Sequence, residues 1–568
     1  MDLIVQIGII FVSATILAYI SKLFKQPMIP AYILAGLILV LTGLVEANSL
    51  VETISTLGIA FLLFLVGLEI DFKRISDVGL ISTIGGSLLC ILLFWIGFLV
   101  AGFLGFAIME AIYIGLVIAF SSTMVVVKLL SDSGKIDTLH GRIALGILLV
   151  QDVFAILALF ILSTLEGFSF TILGRVLSIL LVIAGATYIA SKYIFPLIFK
   201  YAAKTEELLF TTSVAVCLIF IGLFHYFGFS IAIGAFLAGL ALANLPYNIE
   251  IISLIKPLRD FFAVIFFVAL GMQLNLKAVS FFILPIIIFT VLIVLLKPFL
   301  IMIVTSLFGY KKRPAFLISM SLAQASEFSL ILLVLGVSVG HISQNLFSSV
   351  VLITIVTMAV SPYIFKYESW MYKKSEKFLD IFEKVSERGT LEYLPKKKMK
   401  EDVILVGYDR LGYNIFDTLK KLKKRFIVVD YNPEVIRDMI KKKIPCMYGD
   451  VGDLEIMNRL DLKNIQMVIS TIPNKEDSLM VTKKTKKANK KAIVMVTAMQ
   501  IEDALALYDA GADYVILPHF LGGERVSLFL EEMKGDLKKV LNRKVNHIRE
   551  LEKRHALGHK HPKRYRHK

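Results

Sequence analysis

Ile143–Leu165 reads IALGILLVQDVFAILALFILSTL. The run is apolar apart from Gln151-Asp152 near its middle and Ser163-Thr164 at its close, and it is long enough to cross a bilayer. A carboxylate at that depth costs about 2.5–3.5 kcal/mol on insertion scales and marks, by default, an ion or proton pathway. A second ionisable group, Lys297, lies deep in another long apolar run, Val279–Phe308. Two readings of this pair are open. It is either the working centre of an ion-moving machine or a buried structural ion pair, and the rarity of intramembrane charge favours the first.

The composition agrees. With 57% hydrophobic residues over 568 and a mean hydropathy of +0.77, the chain reads as a polytopic membrane protein and not as a soluble enzyme. Residues 1–370 hold 19 Lys/Arg and 17 Asp/Glu, whereas residues 371–568 hold 42 and 28. The expected division is a membrane domain (1–370), a charged linker (371–400), an α/β domain (401–525) and a basic tail (526–568). A basic domain tethered to a membrane suggests anionic headgroups before nucleic acid, so no nucleic-acid partner is expected. Cys90, Cys217 and Cys446 are too few and too scattered for a disulfide framework and read as free thiols. The start, Met-Asp-Leu-Ile, lacks the basic region of a signal peptide.

Apolar runs bounded by charges or turn residues give thirteen candidate helices, near 2–20, 29–45, 53–70, 78–106, 110–130, 141–165, 171–198, 207–226, 229–244, 258–275, 279–308, 314–340 and 346–368. Loops after odd-numbered helices carry fifteen Lys and Arg; those after even-numbered helices carry only Arg175 and Lys277. The positive-inside rule then puts the N-terminus outside and the α/β domain in the cytoplasm, with the plasma membrane as the expected location.

The two halves of the membrane domain echo each other. Ile33-Leu34-Ala35-Gly36-Leu37 recurs as Phe236-Leu237-Ala238-Gly239-Leu240, and Gly67-Leu68-Glu69-Ile70-Asp71-Phe72-Lys73 as Gly271-Met272-Gln273-Leu274-Asn275-Leu276-Lys277. An odd number of helices intervenes, so the repeats are expected to be inverted, as in secondary transporters. The same register pairs Phe120-Ser121-Ser122-Thr123 with Gln324-Ala325-Ser326-Glu327. These polar interruptions suggest helices broken at mid-membrane, whose exposed ends can coordinate a cation. Alternatively, each Ser or Thr merely bonds its own helix carbonyls.

At these residues the chain resembles the second branch of the monovalent cation:proton antiporters, and most closely the Kef-type members. The matching pieces are Phe64-Leu65-Val66-Gly67-Leu68-Glu69, Ser121-Ser122-Thr123, Gln151-Asp152, Gly234-Ala235-Phe236-Leu237-Ala238-Gly239 and Ser326-Glu327-Phe328. The resemblance implies a homodimer in the lipid bilayer, a core with two crossed broken helices, and alternating access. Asp152 would hold the transported cation, potassium or sodium, in competition with a proton. Gln151, Lys297, Ser121, Ser122, Thr123, Ser326 and Glu327 would complete the site. Relatives with Asp-Asp here are typically electrogenic sodium exchangers, so the Gln-Asp pair points to potassium. Lys297 is expected to neutralise Asp152 when the cation is absent.

Beyond residue 401, short apolar runs alternate with helical patterns. The expected strands are Val403–Val406, Phe426–Val429, Met467–Thr471, Ile493–Thr497 and Tyr514–Leu517, an open parallel sheet of Rossmann type. The first strand enters Gly407-Tyr408-Asp409-Arg410-Leu411-Gly412, a phosphate-binding turn whose middle glycine is replaced by Asp409. Asp430 stands where a ribose-binding carboxylate belongs, and Thr471 ends the third expected strand. The segment resembles the RCK- or TrkA-N-type nucleotide-binding domains that regulate potassium transport, in which Gly449-Asp450 would also contact nucleotide. A nucleotide effector, AMP or NAD(H), is expected, and no structural metal. The competing reading is a domain that has lost its ligand and serves in dimerisation.

Other function classes fare worse. A nucleotide-gated potassium channel needs a Thr-Val-Gly-Tyr-Gly filter, and none is present. A membrane oxidoreductase needs an intact dinucleotide turn and a redox partner, and the chain has neither CxxC nor a haem-attachment motif.

Overall fold

In a computed structural model the chain divides into two units, Met1–Ser386 and Glu387–Lys568. The structure describes residues 3–45, 49–69, 80–164 (134 and 137 excepted), 185–226 (186 excepted), 230–275, 282–386 (311 excepted), 392–393, 401–521 (409, 410, 450, 453 and 519 excepted) and 527.

The first unit is helical. Seven described helical stretches are long and apolar enough to cross a membrane: Ile4–Leu23, Ile81–Phe103, Ile108–Asp132 (interrupted at Phe120–Ser122), Leu139–Ser163, Glu206–Tyr226, Ile283–Leu307 and Gln344–Tyr372. Shorter apolar helices lie at Met28–Leu41, Thr53–Glu69, Ile231–Leu242 and Glu327–Ser338. Their outer faces suit lipid: the first helix buries Ile10 and Ala14 and exposes Ile4, Val12, Ile16, Tyr19 and Leu23. Most of the helix expected over 171–198 lies outside the described residues; its described end runs through a π turn, Ala190–Ile194, into Phe195–Ala202.

Two helices outrun their expected limits. Asn248–Met272 starts well before residue 258, and Gln344–Ser386 turns residues 371–386 of the expected linker into helix. Hydropathy stops where charges begin, but backbone hydrogen bonding continues along an amphipathic stretch.

Glycines set how the two halves interlock. A Cβ on Gly36 would lie 1.9 Å from the Val268 carbonyl oxygen, and one on Gly271 1.9 Å from that of Ile33. A Cβ on Gly239 would lie 2.1 Å from the Phe64 oxygen, and one on Gly67 2.3 Å from that of Phe236. These contacts map onto each other at the offset of the sequence repeat: Ile33 becomes Phe236, Phe64 becomes Val268, Gly67 becomes Gly271. Exchanging the halves leaves the pattern unchanged, as a two-fold relation between repeats requires. Close backbone approach at small residues is how helices associate where lipid removes the hydrophobic drive.

The second unit is a seven-stranded sheet: β1 (Glu392–Tyr393), β2 (Val403–Val406), β3 (Phe426–Asp430), β4 (Cys446–Tyr448), β5 (Met467–Ser470), β6 (Ile493–Thr497) and β7 (Tyr514–Ile516). Their order is β1-β4-β3-β2-β5-β6-β7, all parallel except β1 against β4. From β4 to β7 this is the doubly wound Rossmann order, with its reversal between β2 and β5. Strand β2 is buried throughout, as the centre of a sheet covered on both faces must be. The sequence reading missed β1 and β4, which at two and three residues carry too little pattern.

Candidate functional site

The polar interruptions are real breaks. Helix Ile108–Ala119 stops, Phe120 and Ser122 are extended, and helix Thr123–Asp132 begins; in the second half Lys312–Ser321 gives way to Glu327–Ser338. Breaking a helix in a membrane frees backbone groups that have no water to bond, and each must find a partner. Here side chains supply them. The Gln151 amide closes the first break: its Oε1 accepts from Ser121 N–H (3.0 Å) and its Nε2 donates to the Ala119 carbonyl (3.2 Å). The Ser122 and Ser326 hydroxyls cap the new helices by accepting from Val125 N–H (3.2 Å) and Phe328 N–H (3.1 Å). Ser121 Oγ crosses to donate to the Leu322 carbonyl (3.1 Å), tying the two breaks together.

Lys297 holds both breaks at once. Its Nζ donates to the Phe120 carbonyl (2.7 Å) and the Gln324 carbonyl (3.0 Å), equivalent groups of the two repeats. It is fully buried, at the start of helix Lys297–Leu307. A π turn, Leu292–Leu296, precedes it, where Pro298 cannot sustain the regular ladder. The expected neutralisation of Asp152 by Lys297 is not what the structure holds. Two half-helix C-termini carry together roughly one negative charge, and they take the ammonium instead.

The acids occupy the other ends. Asp152 accepts from Thr123 Oγ1, which lies 3.0 Å from Oδ2 and 3.2 Å from Oδ1, at the first turn of Thr123–Asp132. Glu327 Oε1 accepts from the next residue's backbone, Met124 N–H, at 3.4 Å, while Glu327 itself begins the other half-helix. Asp152 and Glu327 are 8% and 2% exposed. All eight residues singled out from sequence therefore meet at one crossing. Sequence reasoning put Gln324 in the polar interruption but not in the site, and it missed Thr357 and Ser361. Thr357 Oγ1 accepts from Ala325 N–H (3.2 Å), and Ser361 Oγ donates to Gln324 Oε1 (3.1 Å). Thr354, Thr357 and Ser361 form a polar stripe at helical spacing in an apolar helix, and that was the available signal.

In the second unit the two glycines of the turn after β2, Gly407 and Gly412, are both described. Gly407 has φ +84, and a Cβ there would meet Thr471 Oγ1 at 2.5 Å. Gly412, in helix Leu411–Lys421, would press a Cβ to 2.0 Å from the Gly407 carbonyl oxygen. Those are the roles of the first and third glycines of the fingerprint: the tight turn and close helix packing. Thr471 Oγ1 lies 3.1 Å and 3.2 Å from the carbonyls of Val406 and Gly407, pinning the turn to the end of β5. The Asp430 carboxylate, at the end of β3, accepts from Tyr408 N–H and Asn432 N–H, both at 2.8 Å, so it shapes the turn. Gly449 N–H donates to the Asp430 carbonyl at 3.0 Å, bringing the end of β4 to the same place. Burial pushes the Tyr408 phenol up to about 12, so it stays neutral. Asp409, Arg410 and Asp450 lie outside the described residues.

Residues 10–366 match the family model described as sodium/hydrogen exchanger, transmembrane. The chain belongs to that family. Residues 403–518 match the TrkA-N domain, so the exchanger domain is followed by a Rossmann-type unit of that kind. The chain is 30% identical to K(+) efflux antiporter 4 of Arabidopsis thaliana over 64% of its length, and it spans only 63% of that protein. It is 26% identical to YbaL of Escherichia coli K12, provisionally named a cation/proton antiporter, over 89% of this chain and 94% of that one. Among solved structures it is similar to the sodium proton antiporter MjNhaP1 from Methanocaldococcus jannaschii, at 16% identity and a TM-score of 0.46, over 66% of this chain and 98% of that one.

Proposed function

We propose that the chain exchanges a monovalent cation, potassium in preference to sodium, for a proton by alternating access in the plasma membrane. The observation that carries this reading is the crossing itself. Asp152 is held at a half-helix N-terminus by Thr123, and the nearby Lys297 is engaged by backbone carbonyls. The carboxylate is left to a cation or a proton, and mutual exclusion at one site couples the two flows. The potassium preference draws on Gln151, whose amide is spent on the break, and on the names of the plant relatives.

The protein would work as a homodimer, with its N-terminus outside and the Rossmann unit in the cytoplasm. Gly407, Gly412, Asp430, Gly449 and Thr471 would cradle a nucleotide, with Arg410 on its phosphate. Asp409 and Asp450 are the sequence neighbours of Tyr408 and Gly449, and the carboxylate of Asp409 would favour AMP over NAD(H) by repelling a diphosphate. Such a ligand can regulate exchange only by binding one transport state better than the other.

In proteoliposomes, potassium added outside should drive a pH change that Asp152→Asn reduces to the level of empty vesicles. Near-normal exchange by that variant sinks the mechanism. Equal rates with sodium would remove the selectivity and leave the exchange standing.

A further inference from the structure

The crossing carries one more acid than a single-carboxylate mechanism uses. Glu327 is 2% exposed; its carboxylate is approached by Met124 N–H (3.4 Å to Oε1), by the Ser122 hydroxyl and by its own N–H, yet its Oε2 has no hydrogen-bond partner among the described residues. A buried carboxylate oxygen without a partner is costly unless something neutralises it. Lys297 is bound to the two carbonyls and does not serve it. Glu327 stands beside Asp152 through adjacent residues of one helical turn, Thr123 holding one carboxylate and Met124 the other. Each of the two carboxylates lies within the other's electrostatic reach.

The charges of the crossing can be summed. Lys297 offsets the two half-helix C-termini, which together carry roughly one negative charge, and the two N-termini, Thr123 and Glu327, carry roughly one positive charge. Two carboxylates face that single positive charge, which leaves one negative charge over. Glu69 at the end of its helix reaches Asp152, and Arg259 on helix Asn248–Met272 reaches Glu327. Glu69 is exposed and Arg259 is ion-paired with the exposed Asp260, so solvent screens both and neither changes the sum. The Cys90 thiol, beside Lys297 and Asp152, adds no charge as a neutral group.

We infer that Glu327 is the second ligand of the transported cation, sharing one exchangeable positive charge with Asp152 across the turn at Thr123–Met124. One cation or one proton satisfies the pair. Cation binding then displaces one proton, and the exchange is electroneutral although the site has two acids.

This inference rests on the exchange reading, and a binding experiment separates their failures. Potassium chloride, and sodium chloride in parallel, are titrated into the purified full-length protein in weakly buffered detergent solution near pH 7.5. Bound cation and released protons are both recorded. The wild type should release about one proton per cation bound. Glu327→Gln, which keeps an oxygen for Met124 N–H, should weaken cation binding tenfold or more and abolish the proton release, as Asp152→Asn should. Glu327→Asp, which keeps the charge on a shorter arm, should retain release with weaker binding and serves as the folding control. Wild-type affinity and release in Glu327→Gln would overturn the inference and leave Asp152 as the sole ligand. So would release of two protons by the wild type. No cation-linked proton release in the wild type would instead defeat the exchange reading and this inference with it.

Discussion

Gln151 shows why one atom at this site matters more than overall polarity. Its amide both accepts, from Ser121 N–H, and donates, to the Ala119 carbonyl. Those two backbone groups fix which end of the amide is oxygen. An ionised carboxylate can only accept. Gln151→Asp and Gln151→Glu should therefore both orphan the Ala119 carbonyl, at about 1–3 kcal/mol, and add a negative charge beside Asp152. Thermal unfolding in detergent at pH 8 should show a lower midpoint for both variants. A midpoint equal to wild type in Gln151→Glu would mean that the missing donor is of no consequence. Gln151, Asp152 and Lys297 were legible in the sequence as buried polar groups, because polar groups in apolar runs stand out. Their partners were not. That Lys297 serves the Phe120 and Gln324 carbonyls follows from half-helix ends competing for the ammonium, and carbonyls belong to every residue alike.

At the level of elements, the repeat was legible because glycine is one of the few side chains whose absence is the message. The helices Met28–Leu41 and Ile231–Leu242 each cross a helix of the opposite half at a glycine that has backbone against it. Gly67→Ala and Gly239→Ala should push the same crossing apart from its two sides. Each is expected to cost about 1–3 kcal/mol, and the pair together less than the sum, because one separation relieves both. Gly8→Ala, with nothing within 4 Å of the added Cβ, should be silent. Unfolding midpoints of the three single variants and the double variant in one detergent measure this; full additivity at Gly67 and Gly239 would break the claim of a shared crossing. Helix ends were less legible than helix faces. The π turn before Lys297 was not foreseen within the expected helix 279–308, and the extension of Gln344–Ser386 was hidden by its charges.

The whole molecule joins units that answer to different physics. Lipid-facing helices hold the first unit through close backbone packing, whereas an ordinary buried sheet holds the second, and each has its own contact network. Two unfolding transitions are expected, and acid should separate them through Asp402. Its backbone oxygen accepts from Gln466 and Met467, and its side chain meets Arg425 at 2.7 Å and 3.0 Å, so it ties β2, β3 and β5 together at their shared start. The hydrogen bond and charge of Arg425 hold the Asp402 carboxyl below the usual carboxylate range. A carboxyl depressed in the folded state adds stability above its unfolded value, near pH 4, and that contribution is lost as pH falls through the folded value. Because the pair is largely solvent-screened, the effect is small. At pH 7, Asp402→Asn should lower only the transition of the Rossmann unit, and the gap from wild type should close as pH is taken below 4. Tryptophan fluorescence does not report on the Rossmann unit, since Trp95 and Trp370 both lie in the first unit. Hydrogen exchange read at peptides from β2, β3 and β5 does. A gap that persists unchanged at low pH would assign the loss to packing and not to the charge on Asp402.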